Sequence, residues 1–401
     1  MDRRAARLTG LGTTVFTEMT ALAARTGAIN LGQGFPDTDG PPAVIAAAVE
    51  ALRAGENQYP PLPGVPALRE AVLEHQRRYY SLEPEDVLIT FGATEAIAAA
   101  LLALLDPGDE VVVLDPFYDS YTAGIAFAGA TRSPVTLRPP EFALDADALQ
   151  AAISRRTKVM LLNSPHNPTG RVLTRAELDL IAAACVEHDL ICVSDEVYEH
   201  LVFEGEHIPP ATLPGMAERT LTVSSVGKSF SFTGWKIGWC SGPATLVAAA
   251  RTVKQYLTFA GGRPLQHAAA AALRLPPAEL KALADDLRVK RDQLCAGLAA
   301  AGLQPLIPAG TYFVNADVGS DAAAYCAQLP ERCGIVAIPT SVFYDDKQAA
   351  RTLVRFAFCK RREVIAEAVQ RLLEPGVSAS QRLGRAARLR RPAETRGPAR
   401  G

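Results

Sequence analysis

Between about residues 40 and 250 the apolar positions follow two alternating rhythms. Stretches with a helical period occupy Val44 to Ala54, ending at Gly55, then Pro66 to Arg78, Thr94 to Leu105 and Arg175 to His188. Between them lie short runs at Asp86 to Phe91, Glu110 to Leu114, Lys158 to Leu162, Leu190 to Ser194 and Thr220 to Ser224. These runs are mostly β-branched and apolar at consecutive positions, so both faces of each strand are buried. A sheet open to water on one side would alternate instead. The pattern predicts an α/β fold with a mainly parallel sheet covered by helices on both faces.

Beyond about residue 275 the rhythm changes. A long helical stretch from Ala278 to Ala301 ends at Gly302 and is followed by a mixed segment at Thr311 to Val314. Strand-like runs at Ile335 to Ile338 and Thr352 to Phe358 precede a last helix from Arg362 to Leu373. This reads as a smaller α+β domain. The expected division is an N-terminal segment, 1–40, folding back on the small domain, a large domain, 41–275, the small domain, 276–375, and a tail, 376–401.

Composition narrows the function classes. The 401 residues are 48% apolar and 21% charged, an ordinary globular mixture with room for two or three domains. No apolar run approaches the roughly 20 residues of a membrane span, and no apolar segment follows the basic first residues, so a soluble cytoplasmic protein is expected. The net charge is −2, but seven arginines beyond Gly376 against Glu394 give the tail +6 and leave −8 on the rest. That balance argues against a nucleic-acid binder, and the tail reads as a solvated, disordered extension. The seven cysteines form no Cys-x-x-Cys pair and no metal-ligand spacing with histidine, so neither disulfides nor a metal site is expected.

Four segments sit at or just past expected strand ends, where parallel α/β sheets bind ligands. They are Gly92-Ala-Thr-Glu95, Asn163-Ser-Pro-His-Asn-Pro-Thr-Gly170, Ser194-Asp-Glu-Val-Tyr198, and Ser224-Ser-Val-Gly-Lys-Ser-Phe230 with Thr233-Gly-Trp-Lys-Ile-Gly238. Singly, each has a plain reading as a cap, a turn or core packing. Two features resist it. Asp195 and Glu196 interrupt an apolar stretch, and Arg355 lies inside the apolar strand Val354-Arg-Phe-Ala-Phe358, where a guanidinium needs a buried anionic partner.

In order and spacing these segments resemble the fold-type I, pyridoxal-phosphate-dependent aminotransferases of class I, over about residues 10 to 373. Leu31-Gly-Gln-Gly-Phe-Pro-Asp37, Asn57-Gln-Tyr59 and Asp115-Pro-Phe-Tyr-Asp-Ser-Tyr121 look most like the kynurenine/glutamine/methionine branch and, equally, actinobacterial N-succinyldiaminopimelate aminotransferases. The resemblance implies a seven-stranded sheet in the large domain and pyridoxal 5′-phosphate as cofactor. It makes Lys228 the Schiff-base lysine, Asp195 the partner of the pyridine nitrogen, and Tyr198 and Asn167 the groups bonded to the phenolic oxygen. Tyr118 would stack on the ring, and Ala93, Thr94, Ser225 and Lys236 would cradle the phosphate. Lys236 stands where many relatives have arginine, a point charge in place of a fork. Tyr59 would reach the phosphate from the other subunit of a homodimer, while Arg355, Gly34 and Asn167 would meet the substrate.

The implied reaction moves an amino group between an L-amino acid and a 2-oxo acid. A β-eliminating relative such as a cysteine-conjugate β-lyase uses the same residues, and the sequence separates the two poorly. An aminotransferase-like transcriptional regulator is disfavoured, since the substrate-loop motif already begins at Leu31.

Overall fold

A computed structural model describes residues 5–12 and 14–376; the basic tail expected from composition lies outside the described residues. Seven strands form the central sheet: Asp86–Thr90 (β1), Glu110–Asp115 (β2), Thr131–Thr136 (β3), Thr157–Asn163 (β4), Ile191–Asp195 (β5), Thr220–Ser225 (β6) and Gly238–Gly242 (β7). Their spatial order is β1-β7-β6-β5-β4-β2-β3, and all run parallel except β7, which is antiparallel to both its neighbours. This is the mainly parallel, helix-covered α/β sheet that the unbroken apolar runs predict. Separate apolar clusters fill the two sides, around Leu101 and Val113 on one and Leu114 and Ile181 on the other.

Two strands carry no apolar signal. β3, Thr-Arg-Ser-Pro-Val-Thr, is largely exposed at the sheet edge, where Pro134 costs no ladder bond. β7, Gly-Trp-Cys-Ser-Gly, needs its first glycine for a reason local to the site. A Cβ on Gly238 would lie 2.6 Å from the Gly92 carbonyl carbon and 2.7 Å from Ala93 N, so only glycine lets β7 press against that helix start.

A second sheet orders Ile338–Pro339 (β8), Leu353–Ala357 (β9), Phe313–Asp317 (β10) and Gln304–Leu306 (β11), all antiparallel. The helices Pro277–Ala300 and Arg362–Leu373 pack on each other beside it. The run expected as one strand, Ile335 to Ile338, divides between two sheets. Ile335 and Val336 pair in parallel with Ile29 and Asn30, and Ile338 and Pro339 pair with β9. The chain near its start is thereby bound to the second sheet. Leu31 N donates to Val336 O, and Ala357 N donates to Leu31 O.

Candidate active site

The C-terminal ends of β4, β5 and β6 and the start of helix Gly92–Leu104 surround a cavity of about 140 Å3. Ala93, Thr94, Tyr118, Asn167, Asp195, Tyr198, Ser225, Lys228 and Lys236 all line it. Strand ends converge here because every parallel strand delivers its next residues to the same edge of the sheet.

One wall is built for an anion. Helix Gly92–Leu104 begins without a side-chain cap, so the first N–H groups, Ala93 and Thr94 among them, and the helix dipole face the cavity. Ser225 and Lys236 complete that wall. The Lys236 amine packs so close to Gly92 that a Cβ there would lie 3.2 Å from Nζ.

The opposite wall carries a carboxylate. Asp195 closes β5 in full burial, and burial raises its acid to about 6; the Tyr121 hydroxyl, donating at 2.6 Å, Val197 N and the Lys228 charge hold it down from a higher value. It is therefore mostly ionised at neutral pH. Across the cavity burial lowers the Lys228 amine to about 8, with Lys236 and Arg355 pushing the same way and Asp195 opposing. A substantial neutral fraction at pH 7–8 is what a nucleophilic or proton-carrying amine needs.

Asn167 is set by Asn163, which sequence reasoning left without a role. The Asn163 side chain accepts from Asn167 N at 2.7 Å and donates to Asp195 O at 2.8 Å, fixing both loops to each other. The Tyr198 ring meets Tyr312 edge-on at 5.3 Å, and the Tyr312 hydroxyl donates to Gly34 O at 2.6 Å. Gly34 is outside the cavity lining but packs flush here. A Cβ would lie 2.7 Å from Tyr312 Cε2 and closer still to Phe313.

Arg355, from β9, is completely buried. Its Nη1 donates to Asn167 Oδ1 at 2.9 Å and its Nη2 to Gly32 O at 3.0 Å, while Nε has no partner. The guanidinium lies between the rings of Phe313 (4.0 Å) and Phe343 (4.5 Å), with Phe16 at 5.5 Å. Burial lowers its pKa to about 10, and no carboxylate among the described residues ion-pairs with it. Tyr59 stands apart from the cavity, 75% exposed, its ring edge-on to Phe259 at 5.6 Å.

Tyr121 and Asn163 were both inside the motifs read from sequence. The signal for Tyr121 was its spacing of three from Tyr118, which sets the two rings 5.8 Å apart at the start of one helix. Tyr312, Phe313 and Phe343 left no such trace.

Behind the site, His75 and His200 share a hydrogen bond between Nε2 atoms at 2.6 Å, and the carboxylate of Glu199 accepts from Tyr80 and Ser224. Burial lowers His75 to about 3 and His200 to about 4 from an ordinary 6.5. The unfolded chain thus binds these protons more readily. Folding stability is full above about pH 6.5 and falls as pH drops toward 4, by up to about 1.4 kcal/mol per pH unit for each imidazole. Denaturant titrations between pH 7 and 5 measure that slope. A His75→Phe variant should flatten it, and an unchanged slope would remove these histidines as its source. All seven cysteines are buried, and no helix among the described residues is long and apolar enough to cross a membrane.

Comparison with known proteins places this site in context. Residues 26–372 match the family model for aminotransferase class I and II. A probable N-succinyldiaminopimelate aminotransferase of Mycobacterium tuberculosis is 51% identical over 384 residues, covering 91% of this chain and 97% of the relative. A methionine aminotransferase of Escherichia coli is 41% identical, with 91% and 97% covered. The solved structure of N-succinyldiaminopimelate aminotransferase from Mycobacterium tuberculosis superposes with a TM-score of 0.90 over 92% of this chain and 99% of that one.

Proposed function

The chain belongs to the class I and II aminotransferases and is an amino-group-transferring enzyme, and from that premise we propose that it binds pyridoxal 5′-phosphate and takes its amino group from N-succinyldiaminopimelate. The observation that carries the reading is Arg355, a wholly buried cation with an unpartnered Nε and no carboxylate of its own. A protein keeps such a group when a ligand supplies the anion. Every amino acid donor and 2-oxo acid acceptor brings an α-carboxylate. Higher identity to the succinyldiaminopimelate relative, 51% against 41% for the methionine one, supports the choice of donor.

The cavity fits the cofactor. The uncapped helix start with Ser225 and Lys236 suits a phosphate, and Asp195 suits a protonated ring nitrogen. Bound there, the cofactor supplies an aldehyde and an electron-accepting ring. Tyr121 holds the Asp195 carboxylate in place, and Asp195 would keep the ring nitrogen protonated. Tyr118, which lines the cavity, would cover one face of the ring. Tyr198 and Asn167 would hydrogen-bond its phenolic oxygen, with the Asn167 Oδ1 atom engaged by Arg355. Arg355 fixes the substrate α-carboxylate, with Gly34 letting the backbone approach. Lys228, with its amine near pKa 8, then moves the α-proton.

Assay of the purified enzyme with 2-oxoglutarate against N-succinyldiaminopimelate, methionine, kynurenine and glutamine tests the donor. The highest kcat/KM is expected for the first. Pyruvate and ammonia released from a cysteine conjugate without any oxo acid would favour β-elimination instead.

Asp195→Asn should lower kcat by about 10²-fold, because a neutral amide cannot hold a pyridinium; near-normal turnover would remove Asp195 from that role. The exposure of Tyr59 supports its contribution to a partner subunit's site in a homodimer. Mixing inactive Tyr59→Phe and Lys228→Ala proteins should then restore activity in hybrids. Hybrids shown to form without any recovered activity would refute the shared site.

A further inference from the structure

We propose that Asp115 is a positioning residue for the arginine grip: its carboxylate fastens the loop that stacks Phe343 on Arg355. The inference rests on the reading of Arg355 as the carboxylate-binding group.

Asp115 ends β2 and is fully buried. Its Oδ1 accepts from Asp345 N at 3.0 Å, and its Oδ2 accepts from Thr136 Oγ1 at 3.4 Å. No cation pairs with it directly among the described residues. The loop it holds follows the turn Thr340–Phe343, which leads from β8 of the second sheet. Three neighbouring contacts fasten the same loop to the same edge of the central sheet. Phe117 N donates to Phe343 O at 3.1 Å, and the Tyr344 hydroxyl donates to Leu137 O at 2.7 Å. Arg132 grips the Asp345 carboxylate with both Nε and Nη2, at 2.6 and 2.7 Å.

The Asp115 carboxylate is itself fully buried; its bond to Asp345 N is part-buried, and that of Tyr344 to Leu137 O is buried. Removing the carboxylate takes the acceptor from both Asp345 N and Thr136 Oγ1. The position of Phe343 matters because its ring and that of Phe313 bracket the Arg355 guanidinium at 4.5 and 4.0 Å. Stacked rings limit the plane in which the fork can meet a carboxylate, and they stabilise the buried charge. Asp115 touches neither substrate nor cofactor. It acts through Asp345 and Phe343 on the orientation of Arg355.

The test compares Asp115→Ala, Asp115→Asn and Phe343→Leu in the holoenzyme. Asp115→Ala should raise KM about tenfold for donor and acceptor alike, with kcat changed less than about threefold. Asp115→Asn, which keeps an oxygen for Asp345 N, should recover most of that. Phe343→Leu should reproduce the KM effect, and the double variant Asp115→Ala/Phe343→Leu should be no worse than either single change. Hydrogen exchange of segment 343–346 should quicken in Asp115→Ala. Exchange unchanged, or effects that multiply in the double variant, would overturn the proposal. Faster exchange with unaltered KM would overturn it too, provided Arg355→Ala raises KM. An Arg355→Ala enzyme with normal KM values identifies failure of the carboxylate reading itself.

Discussion

Lys228→Ala is expected to reduce turnover by about 10⁴-fold while the protein stays folded, because the variant loses both the nucleophile and the proton carrier in one change. Burial holds the pKa of the Lys228 amine near 8, with Asp195 opposing and Lys236 and Arg355 lowering it further. Lys236 is the other lysine lining the cavity, and its position against Gly92 commits it to the anion wall. Borohydride reduction of the loaded wild-type enzyme, followed by peptide mapping, checks the assignment separately from activity. Cofactor fixed to the peptide containing Lys228 supports it; fixation at Lys236 or any other lysine would show that the motif has been misassigned.

Arg355→Ala should raise KM for the amino donor and for the oxo acid together, since both present the same α-carboxylate to the same group. Removing a charge-assisted pair from a water-free site costs about 2–5 kcal/mol in kcat/KM. Arg355→Lys should restore only part, because an ammonium cannot offer the two-pronged geometry and cannot lie flat between Phe313 and Phe343. Steady-state kinetics with each substrate varied in turn decide the matter. A rise in KM for one substrate alone would mean that the two carboxylates bind in different places.

Much of this arrangement was visible in the sequence, for a physical reason. β2, β4, β5 and β6 are buried on both faces, so their residues had to be apolar without interruption, and the functional groups had to follow at their ends. Asp195 therefore stood out against an apolar background, whereas Lys228 and Asn167 gained a role only through the resemblance of their motifs. β3 and β7 did not, because an exposed edge and a glycine-tight contact leave no apolar signature. Tyr121, Asn163 and Asp115 lay inside quoted motifs, yet their partners are 74, 32 and 230 residues away for Asp195, Asp195 and Asp345 respectively. Phe343 was illegible for the same reason. Its place over Arg355 depends on how two sheets meet, and no local pattern encodes that.

The bond from Arg355 to Gly32 O spans 323 residues of chain, and this gives the protein an order of completion. On the ribosome, Gly32 emerges 323 residues before Arg355 of β9, which bonds to it. The anion wall between Gly92 and Lys236 can assemble while synthesis is still in progress. Substrate recognition cannot. Until β9 follows, a nascent chain has the uncapped helix start at Gly92 but no guanidinium beside Gly32.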